Sequence, residues 1–494
     1  MLAGSTTRIL FAIRPTTTTT TTKMFTLATR SITSSKKRET VLIDDNVSLY
    51  QNAPPPLPFN SPLKHDGSTI TTTRILNDEE GIIDVDNRSK LVGSTIYNHI
   101  KSIDLETCHE DALDPFYVCD LSKLNHLLQL WHTKLSRVEP LYAIKCNKNP
   151  ILLSKMVSLG LGFDCASKNE IEMILKLGVH PNKIIYANPC KSIPYIRYAQ
   201  ENEINLTTVD NLDEVYKLQK YHSKCGILIR IQTFDQNSTC PLSVKFGADK
   251  KYAIELISKC KELGLNLKGL AFHVGSGCND LNTIRLAVED SRYLFDVAEL
   301  QFGYKFDTLD IGGGFSESTF IPVAETMNHW LNLKFPHAEF GNLKIVSELG
   351  RFLSSSLFTL VANITSKRGG SFKERLYLND GLYGNLNCVL FDHQVLTPKV
   401  ATSKGVFKYF ETCGNLNSGI TADESNDDKL ANKEYSIWGP TCDGLDCISP
   451  NCKLSHEVDI GDWIYFENVG AYTSAASTNF NGFDVVNTKC LYID

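Results

Sequence analysis

The apolar positions of this chain fall into eight short runs between residues 140 and 350. Each run is mostly aliphatic, β-branched or aromatic, and nearly every run ends in a polar residue or a glycine cluster, which is typical of buried strands. The predicted strands cover residues 140–145, 162–167, 183–188, 206–210, 226–230, 267–273, 308–314 and 344–350. Longer segments suited to helices separate them, and eight strand–helix repeats predict a closed parallel barrel with helices outside.

The pattern changes after residue 355. Helical spacing marks the segments between the barrel strands, at residues 149–159, 168–177, 193–203, 212–222, 250–263, 280–302 and 321–333. Beyond the barrel, strand-like runs follow one another without long helices, at residues 357–365, 374–378, 399–408, 463–468 and 489–492. This predicts a second, β-rich domain. The expected fold class is therefore α/β: a parallel (β/α)8 barrel plus a β-rich domain.

The expected domain organisation follows from these shifts. Residues 81–114 form a lead-in that contributes to the β domain, residues 115–355 form the barrel, and residues 356–494 form the β domain. Within the last part, the polar and acidic residues 412–434 predict a long mobile loop.

The amino-terminal segment has an unusual composition. Its first 38 residues contain no Asp or Glu, and threonine is unbroken over residues 16–22. A basic, Ser-rich and acid-poor start is typical of organelle transit peptides, but it is also compatible with a disordered low-complexity tail. Pro15 and the threonine run disfavour a long amphipathic helix. We therefore expect a disordered extension over residues 1–80 and a cytoplasmic location, with a mitochondrial location as the alternative.

Bulk composition narrows the classes of function. Hydrophobic residues make up 42% and charged residues 21% of the chain, which is ordinary for a globular protein. A formal net charge of -6 gives no reason to expect nucleic-acid binding. No apolar stretch approaches the roughly 20 residues that a membrane span needs. The 15 cysteines lack the paired spacing of a zinc site, so we expect reduced thiols and no metal.

The residues at the carboxyl ends of the predicted strands carry the candidate chemistry, because active sites of parallel barrels lie there. Lys145 ends the first strand, and a partly buried lysine has a lowered pKa and forms an imine with an aldehyde cofactor. A surface lysine is the alternative. Gly312–Gly314 and Arg351 follow the last two strands, where these barrels usually bind phosphate. A tight turn would explain the glycines equally well.

Two further strand-end residues suit a pyridine ring. Glu348 could hold a pyridine nitrogen protonated, which makes the ring an electron sink, although a salt bridge to Arg351 is the alternative. His273 could stack on a flat ring, although it could also be a buried core histidine. Together these residues point to a phosphorylated aldehyde of the pyridoxal type.

Several longer motifs carry a family resemblance over roughly residues 114–483. They read PLYAIKCNKNP, GFDCASKNEIE, YANPCK, LSVKFG, FHVGSGC, LDIGGGF, SIWGPTCDGLD and ENVGAYT. Taken together they resemble the eukaryotic, and more narrowly the fungal, ornithine decarboxylase family. These are pyridoxal-phosphate-dependent enzymes with an alanine-racemase-like fold, so the resemblance implies that fold and pyridoxal 5'-phosphate as the cofactor.

The resemblance also implies roles for individual residues. Lys145 bonds covalently to the cofactor, His273 stacks on its ring, and Glu348 pairs with the pyridine nitrogen. The remaining residues of the implied cofactor site are Asp164, Glu170, Arg230, Ser276, Gly312, Gly313, Gly314, Leu349, Gly350, Arg351 and Tyr472. Among these, Ser276, Gly314, Arg351 and Tyr472 hold the phosphate, and Asp164, Glu170 and Arg230 form the polar network near the lysine.

The substrate side is implied by the same comparison. Cys442 protonates the carbanion left by loss of CO2, and Lys145, Cys442 and His273 form the catalytic set. Asp392 and Asp443 receive the distal ammonium of the substrate, while Phe391 and Phe480 line its binding site. The family forms homodimers with shared sites, in which Cys442 and Asp443 reach into the partner's site. Lys245 and Asp446 match a salt bridge across that dimer.

The resemblance implies decarboxylation of L-ornithine to putrescine, the first step of polyamine synthesis, and leaves the regulatory protein antizyme open as a partner. The alternatives are a lysine or other diamino-acid decarboxylase of the same fold and an inactive antizyme-binding regulator. Two positions depart from the family pattern. Leu349 replaces the proline of a Glu-Pro-Gly-Arg motif, which removes a fixed φ. Phe391 stands where many relatives have tyrosine, which removes a hydroxyl near the substrate.

Overall fold

A computed structural model describes residues 85–278, 280–369, 373–413 and 434–494. The expectations for residues 1–80, and most of the loop expected over residues 412–434, lie outside these described residues. The described chain begins with the helix α1 (Val85–Lys101), the strand β1 (Phe116–Asp120) and the helix α2 (Ser122–Lys134). No helix within the described ranges is long and apolar enough to span a bilayer.

The barrel is closed by eight parallel strands in chain order, β2 to β9. Their bounds are Val138–Ala143, Gly162–Cys165, Ile184–Tyr186, Leu206–Val209, Gly226–Ile231, Leu267–Phe272, Thr308–Asp310 and Lys344–Leu349. All eight predicted strands are confirmed. Nearly every residue of these strands is buried, because helices cover the outside and side chains fill the inside.

Helices α3 to α11 follow the barrel strands. Their bounds are Pro150–Ser158, Lys168–Lys176, Ile193–Glu201, Leu212–Tyr221, Lys250–Glu262, Leu281–Phe302, Phe320–Lys334, His337–Phe340 and Arg351–Ser354. Polar residues in the strand–helix loops fix where the helices begin. Asn149, Ser167, Asn211 and Asp249 each accept a hydrogen bond from a backbone N–H of the following first turn.

The second domain is an eight-stranded sheet that receives β1 as well as strands after the barrel. Strands β10 to β18 are Phe358–Arg368, Glu374–Leu378, Lys399–Val400, Thr402–Ser403, Val406–Phe407, Glu434–Trp438, Cys447–Lys453, Trp463–Phe466 and Lys489–Ile493, of which β13 and β14 form a separate hairpin. The short helices α12 (Cys388–Phe391) and α13 (Tyr409–Thr412) lie between them.

Two features of this sheet differ from the sequence expectation. The strand β1 pairs with β10 and β18, so the barrel begins at Val138 rather than at the expected boundary of 115. Strands β15 and β16 were not expected. Pro450 and Asn451 interrupt β16 with residues typical of turns, and β16 tolerates them because it lies at the end of the sheet.

The inside of the barrel positions the site. One interior layer is apolar and contains Leu141, Ile185, Leu228, Ala271 and Val346. Alternation along each strand brings the next interior positions to the carboxyl ends of the strands. These positions carry charges: Asp164 pairs with Ile185, Arg230 with Ala271, and Asp310 with Val346, while Glu348 lies two residues beyond Val346. The sequence thus places a charged layer on an apolar floor.

Candidate active site

Lys145 lies just after β2, in the short turn Ile144–Cys146, and its Nζ donates to Asp164 Oδ2 at 3.0 Å. The Lys145 side chain is 41% exposed, whereas Asp164 is buried. Burial lowers the pKa of Lys145, but the carboxylates of Asp164 and Glu348 outweigh it and raise the pKa above its ordinary value. The expected lowering of this pKa is therefore wrong. The amine is charged, accessible and held in place.

Glu348 lies at the end of β9 and is buried beside a second carboxylate, that of Asp310. Burial, followed by the charges of Asp310 and Asp164, raises the pKa of Glu348 well above its usual range. The expected alternative was a salt bridge between Glu348 and Arg351. The structure shows a different ion pair, because Arg351 pairs with Asp392.

His273 follows β7, and its Nδ1 accepts the backbone N–H of Gly275 at 3.1 Å. Burial, with the charges of Arg230 and Lys145, lowers its pKa well below the usual range. The imidazole is therefore neutral and carries its proton on Nε2. A neutral, flat ring in a fixed orientation is suited to stack on a planar ligand.

The loop after β8 forms a cradle of backbone. A Cβ on Gly312 would lie 2.2 Å from the carbonyl oxygen of Phe272, and one on Gly314 would lie 2.3 Å from that of Gly275. Both glycines also have positive φ, at 62° and 102°. Only glycine fits such a loop, which leaves room for a ligand to approach the backbone.

Arg351 faces this cradle. Its Nη2 donates to Ser276 Oγ at 3.1 Å and to Asp392 Oδ2 at 2.5 Å, and its guanidinium lies over the Tyr472 ring at 5.3 Å. The pair with Asp392 outweighs the effect of burial and raises the pKa of Arg351. Ser276, Arg351 and Tyr472 are thus together, as expected. Asp392 lies with them at this end of the site, where its Oδ1 accepts a bond from Cys240 Sγ at 3.6 Å.

The other expected cofactor residues have more local contacts. Glu170 Oε2 accepts the N–H of Ala166 at 2.6 Å, while the N-cap Ser167 Oγ accepts the N–H of Glu170, so both side chains stabilise the start of α4. The Arg230 guanidinium lies 5.3 Å from the ring centre of Phe246. Leu349 is buried in the outer core. A Cβ on Gly350 would lie 3.1 Å from that of Cys146.

A second cluster contains the expected substrate-side residues. Tyr383 Oη donates to Asp443 Oδ2, and the Tyr383 ring stacks on Phe480 with centres 4.4 Å apart. The hydrogen bond from Tyr383 lowers the pKa of Asp443. The backbone N–H of Cys442 donates to Asn481 Oδ1 at 2.9 Å, and the Cys442 thiol is exposed. Within the described residues, no hydrogen bond joins this cluster to Lys145, Glu348 or Arg351.

Two expected interface residues, Lys245 and Asp446, and the expected substrate-side residue Phe391 have definite surroundings. Lys245 is exposed and its Nζ lies 5.0 Å from the ring centre of Phe246. Asp446 is 1% exposed and accepts bonds from Leu382 N–H, Thr441 N–H and Thr441 Oγ1. Its carboxylate is therefore well satisfied within its own chain, and the salt bridge to Lys245 stays a prediction. Phe391 is 65% exposed.

Comparison with known proteins decides the family. The family model described as "Pyridoxal-dependent decarboxylase, pyridoxal binding domain" matches residues 121–355. The ornithine decarboxylase of Candida albicans is 46% identical over 82% of this chain and 88% of its own length. That of Saccharomyces cerevisiae is 40% identical over 80% and 84%.

This chain belongs to the ornithine decarboxylase family. Solved structures agree with the assignment. The arginine decarboxylase of Paramecium bursaria Chlorella virus, bound to agmatine, has a TM-score of 0.72 and 30% identity over 81% of this chain and all of that one. The structure titled SrLDC in complex with PLP and cadaverine has a TM-score of 0.66 and 26% identity over 84% of this chain and 95% of that one.

The cofactor of this decarboxylase family is pyridoxal phosphate, and the residues present fit it. The glycine loop leaves backbone room for a phosphate, with the cation of Arg351 and the Ser276 hydroxyl beside it. Asp164 Oδ1 is buried and has no hydrogen-bond donor among the described residues. The charged Lys145 amine would hold the aldehyde of the cofactor, and the buried Glu348 would pair with its ring nitrogen.

Sequence reasoning missed three residues of this decarboxylase site. Tyr383 holds Asp443 and Phe480 together, but the segment around it, NDGLYGN, gave no strand or helix signal. Cys240 contacts Asp392 from a loop. Asp310 is the charged residue of LDIGGGF, and its position at the end of an apolar run is the sequence signal that marks it.

Proposed function

We propose that this chain decarboxylates L-ornithine to putrescine and CO2, as the first step of polyamine synthesis. The observation that carries the proposal is the charged layer at the carboxyl ends of the barrel strands, with Lys145 held by Asp164, in a chain 46% identical to an ornithine decarboxylase. Pyridoxal phosphate, when bound, supplies a conjugated ring that takes up the electron pair left at Cα after CO2 departs.

The chain's own residues prepare that chemistry. Asp164 holds the Lys145 Nζ at the mouth of the barrel, where the exposed amine would bind the aldehyde of the cofactor. Glu348, a buried carboxyl group whose pKa is raised, would pair with the ring nitrogen in its protonated form. His273 covers the ring with a neutral imidazole. Arg351, Ser276 and the glycine loop fix the phosphate and so orient the reacting carbon.

The substrate's distal ammonium needs a carboxylate. Asp443 is ionised and oriented by Tyr383, whereas Asp392 contacts Arg351 through Oδ2 and Cys240 through Oδ1. The carboxylate of Asp443, with that of Asp392 as the second expected partner, favours a substrate with a second cation over a neutral amino acid. Cys442 supplies the thiol proton that Cα receives after CO2 is lost.

We infer that the active protein is a homodimer in which Cys442 and Asp443 serve the partner's Lys145. The support is that Cys442, Asp443 and Phe480 form their own exposed cluster. Large apolar side chains beside these site residues are also exposed: Val244 is 87%, Leu445 68% and Phe391 65% exposed. Such apolar exposure is typical of surfaces that associate.

Two finer points belong to this proposal. Antizyme is a candidate regulatory partner, and a pull-down with purified antizyme would test it.

A cytoplasmic location is inferred from the threonine run and Pro15 at the start of the chain. Import of the full chain into isolated mitochondria would contradict that inference.

The decisive experiment is release of CO2 from carboxyl-labelled L-ornithine by purified protein, with and without added pyridoxal phosphate and with L-lysine in parallel. Cofactor-dependent release from ornithine, with putrescine formed and little release from lysine, is the expected result. Greater release from lysine would support the diamino-acid alternative. No release from either substrate by cofactor-loaded protein would favour the inactive regulator.

A further inference from the structure

Asp310 is a buried carboxylate with no role in the proposed function. It ends β8 on the inside of the barrel and is 0% exposed. A buried carboxylate is costly unless both of its oxygens have partners, so the presence of Asp310 here calls for a physical explanation.

The contacts of Asp310 tie it to Glu348 through the backbone of one glycine. Asp310 Oδ1 accepts the N–H of Gly312 at 2.8 Å. The carbonyl of Gly312 accepts the N–H of Glu348 at 2.8 Å and the hydroxyl of Ser347 at 2.6 Å. Both carboxylates also face the barrel interior, since Asp310 pairs with Val346 and Glu348 lies two residues further along the same strand. The two side chains are therefore fixed as a pair.

Asp310 has one oxygen left for Glu348. Its Oδ2 is buried and lacks a donor among the described residues as long as Glu348 is ionised. A protonated Glu348 provides that hydrogen bond to Asp310. Burial raises the pKa of Asp310 to about 7, and Asp310 in turn raises that of Glu348. The other charged or titratable groups that face this pair are Asp164 on β3, Lys145 after β2, Arg230 on β6 and His273 after β7.

We propose that Asp310 is a positioning residue that orients Glu348 and, through its negative charge, keeps the ring nitrogen of bound pyridoxal phosphate protonated. A pyridinium paired with Glu348 is stabilised further by a second negative charge behind that carboxylate. Asp310 thus acts on the cofactor through Glu348 without touching it. The inference rests on the cofactor of the family and does not require ornithine as the substrate.

The variant Asp310→Asn separates charge from structure. Its amide oxygen still accepts the N–H of Gly312, but the negative charge behind Glu348 is lost. The ring nitrogen should then lose its proton at a pH lower by about 1 to 3 units, the range that a nearby charge produces. At a pH where the ring of the variant has become neutral, turnover by Asp310→Asn should be about tenfold lower than that of the wild type for each unit by which the pKa of the ring nitrogen has fallen.

The measurement is the nitrogen-15 chemical shift of ring-labelled pyridoxal phosphate bound to the full chain, followed as a function of pH. The wild type should keep the pyridinium shift to higher pH than Asp310→Asn. Two control variants should titrate like the wild type. Ser347→Ala removes the other side chain on Gly312 without changing a charge. Asp307→Asn removes one charge from the opposite, exposed end of the same strand.

Identical titrations of wild type and Asp310→Asn would overturn the proposal, as would an equal shift in Ser347→Ala. Should Asp310→Asn fail to retain cofactor, infrared spectra of the protein without added cofactor give a second test. The carboxylic acid band that Glu348→Gln abolishes should persist to higher pH in the wild type than in Asp310→Asn. A carboxylic acid band with the same pH dependence in the wild type and in Asp310→Asn would also refute the proposal. Neither readout needs ornithine turnover, so failure of the proposed function would be seen separately.

Discussion

Individual residues in this site act through their neighbours' charges. Lys145 alone would lose basicity on burial, yet Asp164 and Glu348 keep it charged. Asp164 uses one oxygen for this contact and keeps the other without a donor among the described residues. The lysine is therefore prepared electrostatically before any ligand binds.

This predicts the effect of Asp164→Asn. The amide keeps the shape of the side chain but removes the charge that holds Lys145, so cofactor affinity should fall by about tenfold. This loss lies near the lower end of the range for a charged hydrogen bond, because the Lys145 side chain is 41% exposed. The dissociation constant, from the absorbance of bound pyridoxal phosphate, checks this. Asp210→Asn is the matched control, since Asp210 is a strand-end aspartate bonded to Gly247 N–H. Equal losses in both variants would contradict the charge argument.

At the level of elements, the barrel strands and the glycine loop decide what the site can hold. The end of β7 with the residues after it, and the end of β9, flank the loop that follows β8, and Gly313 leaves no room for a side chain. A Cβ there would lie 2.4 Å from the backbone oxygen of Glu348 and 3.1 Å from His273 Nε2.

Gly313→Ala should therefore displace the end of β9 and weaken cofactor binding, by about 1–3 kcal/mol as for other overpacked sites. Fluorescence titration with pyridoxal phosphate would measure this. Gly369→Ala, where a Cβ meets nothing within 4 Å, should bind cofactor like the wild type. Unchanged affinity in Gly313→Ala would show that the loop is more adaptable than the structure indicates.

The positions of the barrel strands explain which residues of the site could be predicted from the sequence. Lys145, Glu348 and the glycines were predictable because alternation along a strand fixes which residues reach its carboxyl end. The contact of Asp392 with Arg351 was not, since it joins α12 of the second domain to a barrel loop 41 positions away. Strands β15 and β16 were missed for a similar reason. β15 is stabilised by pairing with β11 and β16 by pairing with β15, and their own sequence shows little strand pattern.

At the scale of the whole molecule, the two clusters of site residues call for a second copy of the chain. Within one chain, Asp443 bonds to Tyr383 and Cys442 bonds to Asn481. Lys145 bonds instead to Asp164. A dimer that pairs the two clusters would complete two sites at once, as twofold symmetry requires.

Mixing inactive Lys145→Ala and Cys442→Ala proteins tests this arrangement. Random exchange makes half of the dimers mixed, each with one intact site, so activity should recover to about a quarter of the wild-type value. Carboxyl-label release after mixing measures it, with mass spectrometry to confirm exchange. A control protein that carries both substitutions in the same chain, taken through the same exchange procedure, should stay inactive. Exchange without recovery would place both residues in the same chain's site.

The position of β1 has a consequence for how the chain is made. This strand precedes the barrel, yet its partners are β10 after the barrel and β18 at residues 489–493. During synthesis the barrel strands emerge together and meet neighbours close in sequence, whereas β1 must wait for the last strand. Nascent chains should therefore carry a closed barrel beside an unfinished sheet, whose open edge on β1 needs protection from aggregation until translation ends.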